Sequence, residues 1–427
     1  MAAATALTGY AGVAAAATGV MTPAIGAHPH YQVAGHVSAI AHDTTFSCQI
    51  TTPAQCYGPT QIRAAYGVDK LASQFHLDGA GQTIAIVDAF QSPTITSDLA
   101  TFDSLFGLAA PKLNIIAPDG LTPFDPSNAV EVSWAGEITL DVEYAHAIAP
   151  AATIDLVLAK SDNDADLIDA QRAVVSQGLG DVLSQSFGEA EQCMLPAIQQ
   201  QAHQVFQQAV ARHITVFASA GDQGAAQPTC DGSSFFKAAS TPASDPNVTG
   251  VGGTILDADG TTGAYHSETV WNEPNFNAAG GGGYSVLYGT PRYQRSLHLP
   301  SRGVPDVSYN AAIIGGVLAV WSSSGQGANL VFQFGGTSAG SPQWAGLVAL
   351  ADQLGHHRIG AINDELYLLG HGAIGGVFFH DITTGDNTYH GAGITVPGFP
   401  ATKGWDPASG LGTPKANTLV PLLAAHF

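Results

Sequence analysis

Four short, nearly continuous apolar runs set the strongest limit on what this chain can fold into. They are "TIAIVDAF" (83–90), "TIDLVLAK" (153–160), "DVLSQSFG" (181–188) and "ITVFASAG" (214–221). Runs of this length, bounded by turn residues, predict strands buried on both faces rather than one. Helical patterns over 134–148, 163–177 and 196–212 separate most of them. Strands alternating with helices call for an α/β fold with a mostly parallel central sheet and helices on both faces. Ligands of such sheets bind beyond the carboxyl ends of the strands, where "VDAF", "SFGEAE" and "SAGDQGA" stand.

The chain has 427 residues, 45% of them hydrophobic, enough for one large core or two moderate ones. Residues 1–42 hold no Lys, Arg, Asp or Glu and are rich in Ala, Gly and Thr, so residues 1–55 read as a poorly ordered leader or prosegment remnant before a domain over 56–427. The leader has neither the positive start of a signal peptide nor the apolar length of a membrane helix. With 13 Lys plus Arg against 34 Asp plus Glu, the formal charge of −21 argues against nucleic acid and anionic membranes as partners. In acid many of those carboxylates become neutral, which relieves their mutual repulsion. Four cysteines allow three connectivities; in an exported protein the local pairs Cys48–Cys56 and Cys193–Cys230 are expected, and in a reducing compartment four free thiols.

Candidate chemistry starts at "QFGGTSAGSPQWAGLVAL" (333–350), where Ser338 follows two glycines and precedes Trp344, Leu347, Val348 and Leu350 at helical spacing. A serine near a helix N-terminus is placed to act as a nucleophile, although Thr337 or Ser338 could equally cap that helix. In "SWAGEITLDVEYAHAIAP", Glu137 and Asp141 are four apart and project from one helix face. Two carboxyls so close push their titrations apart, so one becomes a base in acid; a solvated acidic face is the competing reading. His146 on the same helix reads as an ordinary packed or surface histidine. Asp222, at the turn in "FASAGDQGAA", is either a turn-former or, if protonated, an oxyanion donor. The glycine-rich "NAAGGGGYSVLYG" (277–289) lacks the ending of a phosphate loop.

Together, "GGTSAGSP", "GEITLDVE" and "SAGDQGA" resemble the sedolisins, serine-carboxyl peptidases with a subtilisin-like fold. The resemblance runs from "CYGPTQIRAAYGV" (56–68) through "TVWNEPN", "GGGGYS" and "SRGVPDVSYNA" to "GWDPASGLGTP" (404–414). It implies an acid-active peptidase in which Ser338 forms the acyl-enzyme, Glu137 is general base and acid, Asp141 tunes Glu137 and Asp222 donates to the oxyanion. It also implies one structural calcium ion held by Asp381, Asp406 and the carbonyls of Ile382, Thr402 and Gly404, an all-oxygen set of the kind calcium prefers. The implied partner is a peptide or protein, the location an extracellular or other acidic extracytoplasmic compartment, and a monomer is the default state.

Two departures from the family accompany the match. The motif Ser-Gly-Thr-Ser reads Gly335-Gly336-Thr337-Ser338 here, with little effect expected. The family's long folding prosegment exceeds the 1–55 leader, which implies an incomplete product or a chain that folds without that aid. Two other functions compete: a peptidase-like binding protein without activity, and a neutral subtilisin-type protease in which Asp88 of "IVDAF" would serve a histidine. No His-Gly-Thr-His segment is present, and "AGDQG" has Asp where a subtilisin carries Asn. Endopeptidase and tripeptidyl-peptidase specificities are not separable from these motifs.

Overall fold

The computed structural model describes residues 29–36, 45–327 and 330–425. An eight-stranded sheet runs through its centre in the order Tyr265–Val270, Thr249–Ala258, Thr215–Ser219, Val182–Gln185, Thr83–Ala89, Thr153–Ala159, Lys112–Ile116, with Val307–Asn310 also pairing to Thr249–Ala258. All neighbours are parallel except the hairpin of Thr249–Ala258 with Tyr265–Val270. The sequence-derived strands therefore sit side by side at the centre, with Ile84 opposite both Ile154 and Val182.

Alternation along the strands assigns the two faces. Ile84 and Ile86 join the cluster built on Ile138, Val142, Trp344 and Leu347, whereas Ala85 and Val87 join Leu167, Val174 and Phe206 on the other side. The first side holds the helices Ala129–Ile148 and Gly340–Gly355; the second holds Asp164–Gln177 and Pro196–Ala211. Local chemistry fixes the starts of these helices. The Asn128 side chain accepts the Val130 N–H at 3.1 Å, Asp164 and Asp166 occupy a first turn, and Pro196 stands where no N–H is needed. Among the described residues, no helix is long and apolar enough to cross a membrane.

The leader differs in part from expectation. His30–His36 is not poorly ordered but forms a strand, antiparallel to Leu330–Gly335, with His30 opposite Gly335. Its anchor is aromatic: the Tyr31 ring meets Trp321 and Phe332 edge to face at 5.0 and 5.6 Å. Phe46 is buried, and Cys48 is bonded to Cys56. Residues 1–28 and 37–44 lie outside the described residues. The second disulfide joins Cys193 to Cys230, so both local pairings are present.

Candidate active site

Ser338 lies in a single turn, Thr337–Ala339, between the strand Leu330–Gly335 and the helix Gly340–Gly355. Two glycines make this junction possible. Gly336 has φ +121°, and a Cβ there would stand 2.7 Å from Asp222 Oδ2. At Gly335 a Cβ would stand 2.6 Å from the Ala312 carbonyl oxygen, so replacing the family's serine here is a steric matter.

Glu137 and Asp141 project from the Ala129–Ile148 helix, whose residues from Trp134 to Ile148 are all buried. The solvated acidic face is thereby excluded. Ser338 stands next to Glu137 and only partly opposes the rise that burial and Asp88 impose on its pKa, and neither Glu137 oxygen has a hydrogen bond of normal geometry. Catalytic contacts of this kind commonly tighten only with substrate present. Asp141 Oδ1 accepts the Ser186 hydroxyl at 2.8 Å, and its other oxygen has no partner.

A third carboxyl, Asp88, completes the group. It ends the Thr83–Ala89 strand fully buried, with both oxygens unpartnered. Burial pushes Asp88 up to about 8. Burial, then Asp88, raises both Glu137 and Asp141 well above the usual carboxylate range. None of the ion pairs among the described residues involves these three acids. Low dielectric and mutual repulsion without a cation leave protonation as the way to neutralise them. The sequence places Asp88 in "VDAF" at a strand's carboxyl end, where ligands bind, but gives no sign that it joins Glu137 and Asp141.

Asp222 is held from the other side. The Thr337 N–H and hydroxyl both donate to its Oδ1 at 2.8 Å. Its Oδ2 faces Gly336 and lies 4.0 Å from His30 Nε2. Ser338 and Asp222 line a cavity of about 500 Å³ that extends past Ser186, Glu189 and the Cys193–Cys230 disulfide. No histidine is among the described residues that line it. His146 is buried and sits 3.0 Å from Asp103, in a pair separate from the cavity lining.

Comparison with known proteins agrees with this geometry. The solved structure of Pseudomonas sedolisin, a serine-carboxyl proteinase complexed with two molecules of pseudo-iodotyrostatin, superposes with a TM-score of 0.72 and 27% identity over 87% of this chain and 99% of that one. Kumamolisin from Bacillus sp. (strain MN-32) is 33% identical over 371 residues, covering 84% of this chain and 62% of its own length. The chain belongs to the sedolisin family. Sedolisin from Pseudomonas sp. (strain 101) is 31% identical over 84% of this chain and 60% of its own length. The chain thus spans about three-fifths of these sedolisin-family relatives. No protein-family model matches it.

The loops expected to hold calcium meet in space. The Gly404 N–H reaches both Asp381 oxygens, at 3.0 and 3.1 Å, and the Thr402 N–H donates to Asp406 Oδ2 at 2.8 Å. Asp406 Oδ1 takes the N–H groups of Ala408 and Ser409, at 2.9 Å each, which fixes that carboxylate's orientation. Neither aspartate is in an ion pair among the described residues. Among those residues no group of three or more His, Cys, Asp and Glu could hold a metal, so main-chain carbonyls would supply the remaining ligands. Asp381 and Asp406 offer hard oxygen ligands of the kind calcium prefers over softer metals.

Proposed function

We propose that the chain is an acid-active serine-carboxyl peptidase that cleaves peptide bonds in peptides or proteins through a Ser338 acyl-enzyme. The observation that carries this reading is Ser338 against Glu137 within a buried group of carboxyls that has no cation. Ser338 Oγ attacks the scissile carbonyl carbon while Glu137 takes the hydroxyl proton. Glu137 then returns the proton to the departing amine, and again acts as base when water attacks the acyl-enzyme. Asp141 and Asp88 titrate together with Glu137 and hold the protons that keep the group from carrying more than one charge.

Asp222 acts on the opposite side of the carbonyl. With Thr337 donating to Oδ1, the proton of a neutral Asp222 sits on Oδ2 and can be donated to the oxyanion. A carboxyl can serve the oxyanion in this way only as the neutral acid.

Asp381, Asp406 and the carbonyls of Ile382, Thr402 and Gly404 would hold one calcium ion, which when bound supplies charge compensation to these two loops. Two disulfides favour an oxidising, extracytoplasmic location. The test of the catalytic reading is peptide hydrolysis across acid and neutral pH by the protein and its Ser338→Ala and Glu137→Gln variants. Activity confined to acid and lost in both variants is expected; a neutral optimum that survives Glu137→Gln overturns the reading.

A further inference from the structure

The cavity beside Ser338 contains a carboxyl that the proposed chemistry does not use. Glu189 lies on the short strand Glu189–Ala190, just after Ser186, and pairs with Ser240–Thr241. It lines the same cavity as Ser338 and Asp222 but is only 7% exposed. Both of its carboxyl oxygens are buried without a hydrogen-bond partner. Asp164, the first residue of the Asp164–Gln177 helix, is also buried and has one oxygen in the same condition. Burial, then Asp164, pushes Glu189 up to about 8, and burial pushes Asp164 up to about 6. The other acids near this wall are Asp162, raised first by burial, and Asp222 and Asp231 along the cavity. Among the described residues that line the cavity there is no Lys, Arg or His, and His30 stands 4.0 Å from Asp222 at its Ser338 end.

A buried carboxyl without donors is costly to the fold, and the cost is offset when a ligand brings the missing partner. We propose that Glu189 is a specificity-determining residue that receives a basic side chain of the peptide substrate, arginine above all, with Asp164 as a second counter-charge. A guanidinium offers two parallel N–H groups to the two oxygens of one carboxylate, and on entering it displaces the proton that Glu189 holds in the empty cavity. This assignment rests on the cavity being the substrate site, as proposed above.

The experiment compares peptides that differ only in arginine or its neutral isostere citrulline, placed in turn at each position. Binding is measured to Ser338→Ala protein, with and without Glu189→Gln, and hydrolysis by the unmutated protein in parallel. At one position arginine should bind about tenfold tighter than citrulline, and Glu189→Gln should bring the two within about twofold. Equal binding at every position overturns the assignment, as does an arginine preference that survives Glu189→Gln in protein of unchanged circular dichroism. The citrulline comparison needs no change at Glu189, so a folding defect in that variant does not decide the outcome. If arginine and citrulline peptides are hydrolysed equally well, the catalytic reading stands and the Glu189 assignment falls. If neither is hydrolysed while arginine still binds tighter, the reverse holds.

Discussion

Two regions of this molecule bury charge-bearing side chains completely, and they treat them in opposite ways. Arg302 and Asp306 are both fully buried, with Nη1 to Oδ1 at 2.8 Å and Nη2 to Oδ2 at 2.5 Å. Asp306 also accepts the Tyr367 hydroxyl at 2.8 Å and the Gly250 N–H at 2.7 Å. Across the sheet's carboxyl edge, Asp88, Glu137 and Asp141 are buried as deeply, and all but one of their six oxygens lack a partner. The first region neutralises its charge by pairing, the second by retaining protons. A paired charge holds the structure together. Protonated acids remain free to exchange protons, which the proposed chemistry at Ser338 requires.

The difference can be tested by exchanging one residue at a time. Ser338→Ala should have the largest effect, lowering peptide hydrolysis by about 10⁴-fold or more in kcat with the melting temperature preserved; Glu137→Gln should follow within roughly tenfold of that loss. Arg302→Met should do the opposite, costing about 3–5 kcal/mol of stability by leaving Asp306 unpaired, while the activity of the remaining folded protein is retained. Chemical denaturation with active-site titration separates the two outcomes, and an Arg302→Met protein of unchanged stability would show that the pairing contributes little.

Asp88→Asn addresses the unpaired region directly. Its carboxyl, moved from 3.8 to about 8 on folding, binds more protons in the folded than in the unfolded state. Its contribution to stability is therefore present at low pH and lost as pH rises from about 4 to about 8, with a ceiling on the order of 5 kcal/mol. Melting temperature should fall over that window and fall less in Asp88→Asn. The same variant removes a charge that raises Glu137, so the pH dependence of kcat/KM should shift toward acid. Asp222→Asn should keep an N–H donor for the oxyanion and so lose at least tenfold less kcat than Asp222→Ala, roughly the value of one oxyanion donor. The smallest effect is expected from a calcium chelator, which should lower the melting temperature by a few degrees if the Asp381 and Asp406 loops hold the ion, and leave it unchanged otherwise.

The parts legible in the sequence were those written locally. Short continuous apolar runs, a carboxyl pair at i and i+4, and a glycine-flanked serine are local features, set within a few residues of the chain. They were enough to specify a parallel α/β sheet, to place Glu137 and Asp141 on one helix face, and to set Ser338 between strand and helix. Whether that face is wet or buried was not decidable from spacing, because the Ala129–Ile148 helix is covered by elements distant in sequence. Asp88 illustrates the same limit: its type and strand end were visible, but its place among the other acids exists only once Thr83–Ala89 lies between Thr153–Ala159 and Val182–Gln185. The leader's strand at His30–His36 likewise depends on an aromatic wall supplied by Trp321 and Phe332. The sequence by itself determined the fold class, the strand-to-helix position of Ser338 and the shared helix face of Glu137 and Asp141. Tertiary structure alone decided which carboxyls lose water, and with it their proton affinity, because desolvation is a property of everything packed around a group and not of its neighbours along the chain.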